Sequence, residues 1–180
     1  MIFSGKLKIL WLCLLVLLGG VGPLRAEEPT REYQLKLAFM VNFARFITWP
    51  EEAFSEEHSQ LAFCVLGKNP FGNSLAGVEG KKVGERTLKV LQLETLGRKQ
   101  QCQILFISRW ETANLAALET SLDRQSIVTV SDIPGFAAAG GFIEFVLKDD
   151  KLSFIINNTA MKDRGIHASS SLLNLAAAVR

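Results

Sequence analysis

The stretch Gln103–Val130, QILFISRWETANLAALETSLDRQSIVTV, decides the fold class. Ile104–Ile107 (ILFI) is a short, wholly apolar run, which reads as a strand buried on both faces. Glu111–Leu122 follows with helical patterning, and Ile127–Val130 (IVTV) is again a β-branched strand. Strand, helix and strand in succession, with apolar strands that lack alternation, predict a parallel sheet lying between helices.

Upstream, Leu61–Leu66 (LAFCVL) repeats this signature, and Thr87–Leu93 (TLKVLQL) alternates as a strand. Asn69 and Pro70 are placed to open a helix over Pro70–Ala76. Downstream, Phe142–Leu147 (FIEFVL) and Leu152–Ile156 (LSFII) alternate on either side of Lys148–Lys151 (KDDK), a β-hairpin. Asn157–Asp163 reads as a short helix and Ser169–Val179 as the last one. Thr30–Thr48 is a long helix stopped by Trp49-Pro50. It gathers Arg31, Gln34, Asn42 and Arg45 on one narrow polar face and is apolar around most of the rest, so it is expected to be buried on more than one side. The expected architecture is a single-domain α/β sandwich with a largely parallel central sheet covered by helices, plus a C-terminal β-hairpin.

The N-terminus has a different character. Lys6 and Lys8 precede the apolar run Ile9–Val21 (ILWLCLLVLLGGV), Gly22-Pro23 breaks it, and Leu24-Arg25-Ala26 ends in a small residue. This order of basic, apolar and small residues is that of a secretory signal peptide, and the run is shorter than the roughly 20 residues of a membrane span. Residues 1–26 are expected to be the signal and 27–180 the exported domain; a retained N-terminal anchor is the alternative. The whole chain carries a formal charge of +2, but three of its 20 basic residues lie in the signal and none of its 18 acidic ones does. Seventeen basic against 18 acidic residues leave −1 on the exported part. Electrostatic capture of nucleic acid has no basis in that balance.

Loss of the signal removes Cys13 and leaves Cys64 and Cys102. An even number in an exported chain suggests one disulfide, with two buried free thiols as the alternative. Neither these cysteines nor His58 and His167 form a metal-binding cluster, and no metal or other cofactor is implied.

Catalytic signatures are weak. Gly67–Ser74 imitates a phosphate-binding loop, but Asn73 stands where the lysine belongs, so a plain strand-to-helix turn is the expectation. Ser169, Ser170 and His167 share residue types with a hydrolase, yet a serine before an apolar run reads better as a helix cap. Asp132, Glu144, Asp149, Asp150 and Asp163 are expected as solvated carboxylates. Gly140-Gly141 introduces the hairpin as a bend, or else as a ligand-facing loop. Twelve phenylalanines, concentrated in the first helix and the hairpin, exceed what one small sheet readily covers, and part of this surplus is expected to form a protein interface. Phe142 and Phe154 are the candidate anchors, provided that they are exposed.

Several segments together resemble the YfiR-like family of exported bacterial proteins. They are LKLAFMVNFARFITWP (Leu35–Pro50), the strand with Cys64 followed by Gly67-Lys68, QILFIS (Gln103–Ser108), TVSDIPGFAAAGGFIEFV (Thr129–Val146) and LSFIINNTAMKDRGIHASSSLLNLA (Leu152–Ala176). The resemblance implies a periplasmic regulator and not an enzyme: a protein, often dimeric, that binds the periplasmic domain of a membrane diguanylate cyclase and holds it inactive, so that its release raises cyclic di-GMP and favours biofilm. It also implies that Cys64 and Cys102 match one family disulfide. A second cysteine pair found in some members is missing, and Phe136, Ala137 and Ile143 occupy that region. The rival expectations are a small-ligand sensor or carrier using the Gly67–Gly72 or Gly140–Gly141 loops, and a hydrolase using Ser169 or Ser170.

Overall fold

The computed structural model describes residues 30–54, 60–97, 101–122 and 125–180; the expected signal peptide and His58 lie outside them. Among the described residues ten strands are present: β1 (Ile47–Thr48), β2 (Gln60–Leu66), β3 (Lys82–Val83), β4 (Arg86–Leu93), β5 (Ile104–Ile107), β6 (Val128–Ser131), β7 (Ile143–Lys148), β8 (Lys151–Ile156), β9 (His167–Ala168) and β10 (Ala178–Val179). The α-helices are α1 (Arg31–Phe46), α2 (Leu115–Leu122), α3 (Asn158–Lys162) and α4 (Ser170–Leu175). Eight strands form one sheet in the order β10-β8-β7-β6-β5-β2-β4-β3, and β1 pairs with β9 separately. Parallel pairing runs unbroken from β4 through β2, β5 and β6 to β7. Within this sheet the antiparallel pairs are β3 with β4 and β7 with β8. The largely parallel sheet and the hairpin are thus both present, with the hairpin built into the sheet and not set beside it.

The apolar runs occupy both faces, as their lack of alternation requires. Phe63 and Val65 of β2 and Ile104 and Phe106 of β5 join one core with Leu37, Met40 and Phe43 of α1. Their neighbours Ala62, Cys64, Leu66, Leu105 and Ile107 join a second core with Cys102, Leu122, Ile127, Ile133 and Phe136. The first face therefore carries the long helix. The second is covered by the short α2, the loop after β6, and the bond between Cys64 and Cys102, whose α-carbons lie 5.9 Å apart. Gln103, buried next to Cys102, ties the same corner together: its Oε1 accepts from Ala62 N at 2.7 Å and its Nε2 donates to Ala53 O at 2.6 Å.

Four helices differ from their expected form or bounds. The first ends at Phe46, not Thr48, because Ile47 and Thr48 turn extended to pair with Ala168 and His167. The segment Pro70–Ala76 forms two 3₁₀ turns, Gly72–Ser74 and Ala76–Val78, instead of an α-helix. Asn69 Oδ1 accepts from Phe71 N at 2.8 Å, a local turn, and Gly72 takes φ +51°, which no right-handed helix contains. The last helix stops at Leu175, and Ala178-Val179 becomes an edge strand beside Ile155-Ile156. Glu111–Leu122 begins as a 3₁₀ segment, Arg109–Asn114, before α2. The hairpin turns at Asp149 and Asp150, both at positive φ, the primed geometry that suits a right-twisted ribbon.

Removing the disulfide as Cys64→Ala with Cys102→Ala should leave the far-UV circular dichroism near native. It should lower the unfolding free energy in urea by about 2–4 kcal/mol, the cost of freeing a loop of this length in the denatured chain.

Candidate interaction surface

Lys36 is the one charged residue of α1 that points inward; it is 2% exposed. The partner that makes this tolerable is Asp132, which directly follows β6. Asp132 Oδ2 accepts from Lys36 Nζ at 2.7 Å, from Tyr33 Oη at 2.8 Å and from Arg109 at 2.6 Å. Glu32 also pairs with Lys36, at 2.5 Å one turn earlier on the helix. The cluster joins α1 to the carboxyl ends of β5 and β6. Burial pushes the Asp132 carboxyl up, but the hydrogen bonds from Arg109 and Lys36 outweigh it and hold it below the usual carboxylate range. Arg109 is raised, chiefly by its hydrogen bond to Asp132. The Tyr33 phenol is raised strongly, first by burial and then by the hydrogen bond to Asp132.

Fixing α1 in this way determines which of its side chains face out. Leu35, Phe39, Asn42 and Phe46 fall within roughly 60° of arc at about 100° per residue. Leu35 is 48% exposed and Phe46 40%. Phe39 is half-buried, with its ring 6.2 Å from Phe145 and 5.8 Å from Phe154. The hairpin continues the theme. Ile143 faces Ile156, Phe145 faces Phe154 and Leu147 faces Leu152 along one side of the ribbon. The first two rungs are buried in the α1 core, whereas Leu147 at the third is 69% exposed.

Phe142 and Phe154 are only 4% and 2% exposed. This corrects their reading as partner-binding anchors. Phe154 packs edge-on to Phe43, with ring centroids 4.9 Å apart, and the backbone N–H of Phe142 is bound to Thr129 Oγ1 at 3.1 Å. Both are core residues; on α1 and the hairpin the exposed large apolar side chains are Leu35, Phe46 and Leu147.

The remaining candidates have structural places. Ser169 caps α4, accepting from Leu172 N at 3.2 Å. Ser170 is exposed, and His167 is exposed in β9. Glu144 is buried and accepts from Gly135 N and Ala137 N at 2.9 and 3.0 Å, fastening the loop after β6. Asp132 and Glu144 are therefore not the solvated carboxylates expected from sequence. A lysine among the apolar positions of α1 was the available signal for the Asp132 cluster. Both glycines of the Gly140-Gly141 pair are used: Gly140 bends at φ +106°, and Gly141 lies under the Phe136 ring, where a β-carbon would collide.

Among the described residues no helix is long and apolar enough to cross a membrane. Fold and surface together define a small mixed α/β domain that offers apolar side chains on a clamped helix and a hairpin. A family model described as YfiR/HmsC-like matches residues 33–177, and the chain belongs to that family. No curated protein matches it.

Asp132→Asn should destabilise the domain at pH 7 by about 3 kcal/mol, since it removes the buried counter-charge of Lys36 and leaves it only the more exposed Glu32. Because the Asp132 carboxyl is lowered in the folded state, its contribution is present above the ordinary carboxylate range near 4 and is lost as pH falls through the folded value. Urea titrations from pH 7 into the acid range should therefore show the advantage of the wild type over the variant shrinking once pH falls below the ordinary carboxylate range.

Proposed function

We propose that this chain is an exported regulator that binds the periplasmic sensory domain of an inner-membrane diguanylate cyclase and holds it inactive. Family membership supports the class of function, and the observation that carries it onto this surface is the exposure of Leu35, Phe46 and Leu147 on elements whose other side chains form the core. Large apolar groups of this kind are what protein interfaces desolvate. Inhibition follows if the surface binds the inactive state of the sensor better than the active one, since a ligand shifts an equilibrium only by its differential affinity. The same face serves as the proposed homodimer contact when the cyclase is absent.

Leu35→Asp, Phe46→Asp and Leu147→Asp should each abolish repression, read as a rise in cellular cyclic di-GMP, while changing the midpoint of thermal unfolding little, because these side chains contribute little to the core. Ser169→Ala is the contrasting change: it should cost about 1 kcal/mol of stability through the lost cap and leave repression intact. Repression unaffected by all three aspartates would refute this surface. The domain bounds are part of the same reading, with residues 1–26 as the signal peptide. Mass spectrometry of the periplasmic protein should give an N-terminus at Glu27, and full-length chain in the membrane fraction would show retention instead.

A further inference from the structure

The sheet edge away from the hairpin is only half covered. On the outer side of β4, β3 pairs with Arg86 and Thr87. Gly80 and Lys81 extend that cover by one residue: Gly80 N–H donates to Leu88 O at 2.9 Å and Leu88 N–H to Lys81 O at 2.8 Å. Further on, β4 has β2 on its inner side alone. Leu93 O accepts from Gly67 N at 3.0 Å and so faces inward. By the alternation of a strand, the backbone groups of Val90 and Gln92 then face outward. Val90 N–H donates to the Glu79 carboxylate at 2.6 Å. Val90 C=O, Gln92 N–H and Gln92 C=O bond to no described residue.

A row of unpaired backbone groups is a template for one more strand. An open groove of about 480 Å³ runs beside this row, between β4 and the 3₁₀ turns, with Leu75, Ala76 and Val90 as its apolar part. On the other face of the strand Leu91 and Leu93 are only partly buried. The side chains of an added strand therefore meet apolar surface on both sides.

Glu79 fixes where such a strand begins and which way it runs. Residues 80–83 already occupy the edge as far as Leu88, so an added strand stops opposite Val90. A strand extending further would bring a carbonyl to Val90 N–H, where the exposed Glu79 carboxylate already sits and repels it. Glu79 makes no ion pair with a described residue, and Lys89 alternates to the opposite face. A carboxylate at the head of the row favours a positive charge there. An antiparallel segment would end there in its own carboxylate, with the wrong sign. A parallel segment with a free α-ammonium satisfies every group. Its first residue donates from the ammonium to Val90 O beside Glu79 and accepts from Gln92 N–H, and its third residue donates to Gln92 O.

We propose that the outer edge of β4 receives the free amino terminus of an extended apolar segment of a partner protein as an added parallel strand. This edge lies across the sheet from the hairpin and does not depend on the cyclase reading.

The test is an NMR titration of the ¹⁵N-labelled exported chain with the peptide Val-Leu-Val-Ser amide, free or acetylated at its amino terminus. The free peptide should shift the amides of Val90, Gln92 and the groove, and should bind about tenfold or more tightly than the acetylated one, which lacks the charge. Glu79→Gln keeps an acceptor for Val90 N–H and should bring the two peptides to similar affinity. Gln92→Pro removes an N–H that no described residue uses, a change an edge strand tolerates, and should abolish binding. Gln92→Ala keeps that N–H and should bind nearly as wild type. If Gln92→Pro does not fold, the free peptide N-methylated at its third residue decides, since it cannot donate to Gln92 O and should not bind. Equal affinity of the wild type for the free and acetylated peptides would overturn the proposal. So would undiminished binding by folded Gln92→Pro or of the methylated peptide, or no shift at millimolar peptide. Self-association of the unliganded chain that Gln92→Pro abolishes would also overturn it, by assigning the edge to a second copy.

Discussion

A parallel sheet whose central strands β2 and β5 are apolar on both faces needs two covers, and the described residues supply one long helix. That imbalance organises the rest of the molecule. The face under α1 closes in the ordinary way, with the Phe43 ring of the helix stacked on Phe145 and edge to face with Phe154 of the hairpin. The other face is assembled from smaller pieces. A disulfide, the eight residues of α2 and a loop fastened by the Glu144 carboxylate stand where a second long helix would lie. Such a patchwork leaves space between its parts, and a cavity lined by Leu118, Phe136 and Arg164 is that space.

The charged cluster at Asp132 follows from the same geometry. A helix packed by non-directional apolar contact alone can slide or rotate on a sheet at modest cost. Lys36, Tyr33 and Arg109 converging on one buried carboxylate oxygen remove that freedom, because each bond depends on direction as well as distance. Buried ion pairs add little net stability once desolvation is counted, so the value of the cluster is orientation. A stripe running from Leu35 to Phe46 serves recognition only if it faces one way. A preorganised stripe also avoids the entropy of being ordered at the moment of binding.

The sheet was legible because burial on both faces leaves a plain mark: Leu61–Leu66, Ile104–Ile107 and Ile127–Val130 are nearly continuous apolar runs, and all three are central strands within a residue or two. The hairpin was legible from its alternation and its KDDK turn. Short pairings were not, because two residues carry no period. Ile47-Thr48 and Ala178-Val179 look like the ends of helices until a partner strand is available. Pro70–Ala76 was misread because a cap residue before proline suits a helix and an Asx turn equally, and Gly72 decides between them. The anchors were misplaced for a related reason. Alternation shows that Phe142 and Phe154 occupy defined faces of the ribbon, but not where α1 ends above it. That boundary buries Phe154 and exposes Leu147, two rungs of one ladder.

The two faces also bear on how regulation can be built into such a domain. The outward stripe of α1 and the Arg164 cavity are separated by a close-packed sheet, and close-packed layers transmit shifts between discrete packings more readily than graded strain. The segment from Asp132 to Phe142 touches both sides. It begins at the carboxylate that orients α1, passes over the cavity at Phe136 and Gly140-Gly141, and ends where Phe142 hands over to β7 beneath the helix. Binding on one face changes affinity on the other only if it favours one arrangement of this segment over another, and then by no more than that preference. Glu144 sets how strongly the segment resists, since its two bonds to Gly135 and Ala137 hold the loop in the arrangement seen here. Coupling between the faces through this crossover is bounded by that resistance.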